Sequence, residues 1–519
     1  MLHSGHLAAK SFTGNGLAVA EAHSLGSDFP EIPAILWLSS LKSVKQALKK
    51  DMAIRFGTSG WRAVIADDFT FAGVRQVTEA ICAHFGTSDE PKKSVIIGHD
   101  TRFLGERFAA ECAGVVSFHG FRTLLCNQPT PTPSLSHAIR SENAVCGINF
   151  TASHNPPEYN GMKLSTGDGA PALPEITKHV EGLIAERWAV ADSVSRKKSQ
   201  TSDFETYSPR QAYLDDLKKK IRFDVIAKAA GRYGFDPLWG TGRGYLDEAL
   251  RMHGLKVETI HDWRDVLFGG RSPEPEVTHL TELRDLVVAK KCTLGLATDG
   301  DGDRFGVIDA NGEFISPNQL IAVLFDYLAE SRNWTGGVAR SVATSHLVDR
   351  VAEARGLPVY ETPVGFKFIG ELINEDKIIL GGEESAGLSI KGHYPEKDGI
   401  LACLLAAEAV AARGESLTQQ LNKLYARVGR LEAGRIGVRL TEDLMKSLSG
   451  RLNQDPKEIG GRAIARTNRM DGVKFIFGDG SWLLMRPSGT EPLVRIYAES
   501  ESATDLEVLL EQGRKFLLG

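Results

Sequence analysis

The sequence predicts an α/β protein: three similar α/β domains with mixed sheets, and a smaller C-terminal α+β domain, set around a central cleft. Three observations in the 519 residues point there. One strand–helix–glycine–strand block occurs three times. Each copy is followed by a further strand that runs into an unusual polar loop. From about residue 427 the pattern breaks. Repetition over a long period outranks any local reading, because each copy is one folding unit.

Composition sets the bounds. Hydrophobic residues make up 42% and charged residues 24%, the balance of an ordinary globular protein with sizeable cores. A net charge of −5 offers nothing that attracts nucleic acid or an anionic membrane. No apolar run is long enough to span a bilayer. The six cysteines have no metal-type spacing and sit among apolar neighbours. They read as reduced core thiols of a cytoplasmic protein.

The expected division begins with residues 1–51, a weakly ordered or mis-annotated extension rich in Gly, Ser, His and Ala. Met52 then precedes a strand-like start, Ala53 to Gly57. An accessory segment is the other reading, since Ile35 to Leu38 and Leu41 to Leu48 can form a short helix. Four domains follow at 52–203, 204–312, 313–426 and 427–519.

In the first copy, Val95 to Asp100 is a strand, a helix carries Leu104, Phe108, Cys112 and Val115, and Gly120 precedes the strand Phe121 to Leu125. The second copy runs from Tyr233 through Leu246, Ala249 and Leu250 to Gly254 and Leu255 to Ile260. The third runs from Val338 through Leu347, Val348 and Val351 to Gly356 and Leu357 to Tyr360. Helical spacing, a glycine stop and a short β-rich run make a βαβ unit. The last segment holds two strands, Trp482 to Met485 and Leu493 to Tyr497, and a closing amphipathic helix with Leu506, Val508, Leu509 and Leu510.

The loops carry the chemistry. In Ala297-Thr-Asp-Gly-Asp-Gly-Asp-Arg304, three carboxylates (Asp299, Asp301 and Asp303) alternate with glycine after the apolar run Leu294 to Ala297. Hard divalent ions take oxygen ligands, and glycine lets the backbone fold tightly enough for alternate carboxylates to converge. A solvated acidic turn is the plainer reading, but strict alternation favours one Mg2+ per chain. The loop Thr151-Ala-Ser-His-Asn-Pro-Pro157 puts a hydroxyl, Ser153, beside an imidazole, His154. Serine needs a base, metal or dipole to act as a nucleophile, and alone this is a loop hydroxyl. Lys163 lies just beyond.

Gly381-Gly-Glu-Glu-Ser-Ala-Gly387 sets Glu383, Glu384 and Ser385 on a flexible turn, acceptors suited to sugar hydroxyls or to a second metal. Arg486-Pro-Ser-Gly-Thr-Glu-Pro492 offers a guanidinium, two hydroxyls (Ser488 and Thr490) and Gly489, an anion nest or a plain β-turn. Arg495 on the next strand can point back to it. Phe56-Gly-Thr-Ser-Gly-Trp-Arg62 adds Thr58, Ser59 and Arg62. Together these suit phosphoryl transfer to and from a sugar phosphate.

These motifs, in this order, resemble the α-D-phosphohexomutase family, over about residues 53 to 519. The resemblance implies that Ser153 carries the transferable phosphate, and that Mg2+ bridges it to Asp299, Asp301 and Asp303. By the same carry-over Arg304 supports the phosphoserine, while Lys163, His154 and Arg62 assist proton transfer. Thr58, Ser59, Gly365, Lys367, Glu383, Ser385, Arg486, Ser488, Gly489, Thr490 and Arg495 would bind the substrate. Glu383 and Ser385 resemble the phosphoglucomutase/phosphomannomutase form of the sugar loop. Phosphoglucosamine mutases usually carry Gln where Glu384 stands. Gly365-Phe-Lys367 resembles the phosphoglucomutase type and tilts the expectation to glucose.

The implied reaction interconverts hexose 1-phosphate and hexose 6-phosphate through a hexose 1,6-bisphosphate, which also serves as activator. A phosphomannomutase or bifunctional enzyme is the alternative; a phosphoglucosamine mutase or a non-catalytic sugar-phosphate-binding protein stands further off. The sugar must bind in two orientations, and a hinge is expected near Val428 to Gly434. The expected assembly is a monomer or homodimer.

Overall fold

The computed structural model describes residues 54–57, 60–86, 93–190, 203–488 and 493–519. The expectations for residues 1–51, Met52, Ala53, Thr58, Ser59, Gly489 and Thr490 lie outside the described residues. Among those described, the strands gather into four sheets.

The first sheet holds β1 (Trp61–Val64), β2 (Ser94–His99), β3 (Arg122–Cys126), β4 (Cys146–Phe150), β5 (Tyr159–Thr166) and β6 (Glu205–Tyr207), in the order β1-β5-β4-β2-β3-β6. β2, β3, β4 and β6 are parallel, while β5 runs against β4. β6 lies past the expected boundary at 203, because Glu205 to Tyr207 pair with Leu124 to Cys126 before the chain leaves this sheet. The strand expected from Ala53 to Gly57 is also corrected. Over 54–57 only Gly57 makes a single bridge, to Gly60, and Ile54 and Phe56 pack on the first core instead of entering a ladder.

The second sheet contains β7 (Arg232–Asp236), β8 (Lys256–Thr259), β9 (Leu294–Thr298), β10 (Phe305–Asp309) and β11 (Phe314–Ile315), ordered β11-β10-β9-β7-β8. The third has β12 (Gly337–Ser341), β13 (Val359–Thr362), β14 (Ile378–Glu383) and β15 (Gly387–Ile390), ordered β13-β12-β14-β15. In both, a parallel group ends in an antiparallel partner, β9 with β10 and β14 with β15. The first sheet does the same with β4 and β5. All three polar loops therefore sit at one structural place: the reversal after the last parallel strand, at its C-terminal end. That is where open α/β sheets bind ligands.

The three repeat helices are Gly105–Phe118, Leu246–Arg251 and Leu347–Ala354. Gly120, Gly254 and Gly356 follow them with φ of 84°, 78° and 66°, the left-handed turn that the repeated glycine predicts.

The fourth sheet is antiparallel: β16 (Glu432–Arg439), β17 (Glu458–Ile459), β18 (Arg462–Asn468), β19 (Val473–Phe477), β20 (Trp482–Pro487) and β21 (Leu493–Ser500), ordered β16-β21-β20-β19-β18-β17. The helix Ala503–Leu518 closes it, with Leu509 buried. Val508, expected on its apolar face, is instead 44% exposed, because one step along a helix turns a side chain by about 100° and carries it to solvent.

Local signals fix several element starts. Ser316 and Ser416 each form a reciprocal capping box with a glutamine, at the helices Pro317–Ser331 and Leu417–Val428. Asp398 caps Gly399–Arg413, a helix apolar almost all round. Such a helix must be buried. It packs against β9, β10 and β15, so the cores of the second and third sheets merge into one.

Candidate active site

Ser153 sits in the β4–β5 reversal at φ 53°, a left-handed conformation that a non-glycine residue adopts at some cost. The loop is held there by Arg102, whose side chain is fully buried. Its guanidinium donates to the carbonyls of Ser153 (2.7 Å), Asn155 (2.5 Å), Pro156 (2.7 Å) and Tyr159 (3.0 Å). Nε reaches Asp100 Oδ2 at 3.2 Å. Arg62, on β1, donates to Asn155 Oδ1 at 2.7 Å.

The β4–β5 and β9–β10 loops meet. Ser153 Oγ donates to Asp299 Oδ2 at 2.7 Å, and His154 Nδ1 lies 3.4 Å from the same hydroxyl. Asp299, Asp301 and Asp303 are buried, and their ligand atoms lie within 4.8 Å of one another. Lys163, on β5, donates to Asp301 Oδ2 and Asp303 Oδ2, both at 2.6 Å. Lys397 adds a bond to Asp303 Oδ2 at 2.8 Å, and Thr132 Oγ1 donates to Asp301 Oδ2 at 2.5 Å. Arg304 pairs with Glu274 at 2.8 Å, while its backbone N–H donates to Asp299 Oδ1.

The electrostatics follow from burial and crowding. Burial, reinforced by Asp301 and Asp303, holds the Asp299 carboxyl well above the usual range. Burial opposes ionisation of Asp303 too, yet Lys163 and Lys397 drive its value well below the ordinary one. Burial also acts against the Lys163 charge, and Asp301 and Asp303 override it, leaving a firmly protonated amine. His154 is held well below its ordinary value by burial and by Arg304 and Arg62. Asp301 Oδ1 and Asp303 Oδ1 are buried and have no hydrogen-bond partner. Oxygen atoms of that kind, on converging carboxylates, fit a hard divalent cation.

The third loop contributes Glu383, at the end of β14, which accepts from the backbone N–H of Gly365 at 2.8 Å. Burial, with Glu384 adding to it, pushes its carboxyl up to about 7. Glu384 accepts from Ser341 and Thr344 hydroxyls at 3.0 and 3.1 Å, and Ser385 is half-buried in the turn. Lys367 lines the same cleft as Lys163, Glu396 and Lys397. The fourth-sheet residues form a separate group. Arg486 pairs with Asp471 at 2.7 Å, Arg495 stands opposite it in the β20–β21 register, and the Ser488 N–H donates to the Leu493 carbonyl. Asp471 also accepts from the Val364 N–H at 3.0 Å, tying this group to the loop before Lys367.

Arg102, Thr132, Glu396 and Lys397 are absent from the expected set. Arg102, Glu396 and Lys397 lie only in short charged runs, Asp100-Thr-Arg102 and Glu396-Lys-Asp398, beside apolar elements, and Thr132 has no such signal.

Comparison with known proteins agrees with this geometry. Family models described as phosphoglucomutase/phosphomannomutase alpha/beta/alpha domains I, II and III match residues 53–189, 211–312 and 316–428. The C-terminal domain of the same set matches 436–514. A "Phosphoglucomutase/phosphomannomutase" of Thermococcus kodakarensis is 29% identical over 466 residues, covering 89% of this chain and 98% of the relative. A "Probable phosphoglucosamine mutase" of Methanosphaera stadtmanae is 30% identical, covering 89% and 98%. A crystal structure described as a "putative phosphomannomutase" from Thermus thermophilus superimposes with a TM-score of 0.79 at 34% identity, covering 90% of this chain and 99% of that one. The chain therefore belongs to the phosphoglucomutase/phosphomannomutase family of α-D-phosphohexomutases, which are intramolecular phosphotransferases.

Proposed function

We propose that the chain interconverts hexose 1-phosphate and hexose 6-phosphate, with glucose as the preferred sugar, through a phosphoryl group carried on Ser153 and a hexose 1,6-bisphosphate intermediate. The observation that carries this reading is the 2.7 Å bond from Ser153 Oγ to Asp299, which joins the hydroxyl of one sheet to the acidic loop of another. Asp299, Asp301 and Asp303 would hold a divalent cation such as Mg2+. When bound, the ion is a Lewis acid that draws charge off the transferring phosphoryl group.

The chain's own residues do the rest. Arg102 holds the Ser153 carbonyl and thereby aims the hydroxyl. Lys163, kept protonated, supplies positive charge and a donor, and Arg304 adds a second fixed cation; fixed charges of this kind offset the developing charge of phosphoryl transfer. Glu383 and Ser385 would read sugar hydroxyls, while Arg486, Ser488 and Arg495 would hold the phosphate that is not reacting. Thr58, Ser59, Gly489 and Thr490 belong to the same proposal. A hexose 1,6-bisphosphate primes Ser153. The six buried thiols suit a reducing, cytoplasmic setting.

Glucose is favoured by Lys367 in the cleft, while Glu384, where phosphoglucosamine mutases usually carry Gln, speaks against glucosamine. The test is a coupled assay of glucose 1-phosphate, mannose 1-phosphate and glucosamine 1-phosphate, with a catalytic amount of bisphosphate. Ser153→Ala should lower kcat by about 10,000-fold or more. Full activity in that variant would refute the phosphoserine route, and continuous release of inorganic phosphate by the parent chain would make it a phosphatase.

A further inference from the structure

Away from the active site, a cleft of about 280 Å3 opens where three parts of the fold meet. Its walls are His137 and Arg140 on the helix Thr132–Ser141, Asp216 and Lys220 on the helix Arg210–Lys220, and His393 and Tyr394 beyond β15. None of these residues enters the mutase chemistry.

The walls carry two cations, Arg140 and Lys220, and one carboxylate, Asp216. Lys220 is bonded to Asp216, and Lys219 is near enough to act on His137. Among the described residues no carboxylate pairs with Arg140, which is exposed. Two helix C-termini bring about half a negative charge each, which offsets the one unit of positive charge left on the walls and leaves Arg140 as the wall cation that no lining carboxylate pairs. Basic side chains at helix ends often do no more than answer the dipole, and that account suffices for Lys220. It does not cover the histidines. His393 is 3% exposed, its Nε2 bonds Asp398 Oδ2 at 3.0 Å, and its Nδ1 has no partner. With the proton on the nitrogen that faces the carboxylate, Nδ1 is a lone-pair acceptor. The Nδ1 of His137 is likewise buried and unpartnered. Buried polar atoms left unmade are costly and ask for a ligand or water.

A metal is not that ligand. Among the described residues, the one cluster of three ligand groups close enough for an ion is the aspartate triad. The volume lies below that of drug-sized pockets, so a small metabolite fits best.

We propose that this cleft is a binding site for a small anion that also bears a hydroxyl, of the polyol-phosphate class. Its anionic oxygens meet Arg140 beside the Lys220–Asp216 pair, its hydroxyl donates to His393 Nδ1, and its carbon skeleton lies by the Tyr394 ring, 5.0 Å from Lys220 Nζ. The floor of the cleft leads toward the acidic loop. Asp398 accepts from His393, Tyr394 and Tyr213, and its neighbour Lys397 reaches Asp303.

The test is calorimetric titration of the full chain with glycerol 3-phosphate, in an Arg486→Ala background that weakens phosphate binding at the active site. One binding event should remain. Adding Arg140→Ala should weaken it at least tenfold, with the fold and melting temperature unchanged, since Arg140 is exposed. Propyl phosphate, the same skeleton without hydroxyls, should bind several-fold more weakly. No event in the Arg486→Ala protein, an event indifferent to Arg140→Ala, or equal binding of propyl phosphate would each overturn the proposal. The readout is binding, so it stands or falls separately from the mutase reading.

Discussion

Asp301 is asked to do two things: accept from Lys163 and Thr132 with one oxygen, and leave the other free for an ion. Asp301→Asn keeps the shape and removes the charge. Divalent-ion affinity should fall at least about 100-fold and kcat with it, while the sugar-phosphate dissociation constant stays near the parent's; titration calorimetry and steady-state kinetics check both halves. Glu383 gives a pH prediction. Its carboxyl sits at about 7, above the ordinary 4.5, through burial first and Glu384 second. A raised value means that the stability it contributes is fully present below pH 4.5 and is lost as pH rises through 7. The loss is roughly 3 kcal/mol. Thermal melts from about pH 5 to 8 should therefore fall more steeply for the parent chain than for Glu383→Gln.

At the scale of elements, the recurring unit is a parallel group closed by one antiparallel strand, with the reactive loop at the reversal. The β4–β5 loop depends on Arg102, which satisfies four of its carbonyls and neutralises buried Asp100. Arg102→Ala should cost about 3–5 kcal/mol, because a buried charge loses its partner. It should lower kcat more than it raises KM, and Arg102→Lys should restore little, since an ammonium cannot fork. Chemical denaturation and kinetics decide. The contrast between Ser153 and Arg102 explains what the sequence made legible. Alternating aspartates, a Ser-His step and the repeated glycine stops are local patterns, readable along a few residues. Arg102 and Lys397 act on partners more than fifty residues away, and neither sits in a motif of its own. Ala53 to Gly57 misled for the converse reason: its β-rich composition is local, but Phe56 is recruited by the first core.

At the scale of the molecule, the third and fourth sheets are joined by a buried polar contact. Lys474, on β19, donates to the Val342 carbonyl at 2.8 Å, meets His346 Nε2 at 2.9 Å and lies over the Trp482 ring. Burial pushes its amine down to about 7. A lowered value means that its stability is present above the ordinary 10.5 and is lost as pH falls through 7. Hydrogen exchange at this junction should be faster at about pH 6 than at about pH 9 after correction for intrinsic rates, and Lys474→Met should remove that difference. The distribution of sulfur has a separate consequence. All six thiols are buried: Cys82, Cys112, Cys126 and Cys146 with the first sheet, Cys292 with the second and Cys403 in the helix packed on the second and third. A thiol reagent is thus silent toward the closed molecule and marks each body only when it opens, so the order in which the six positions label is a stopwatch for which part of the chain comes apart first.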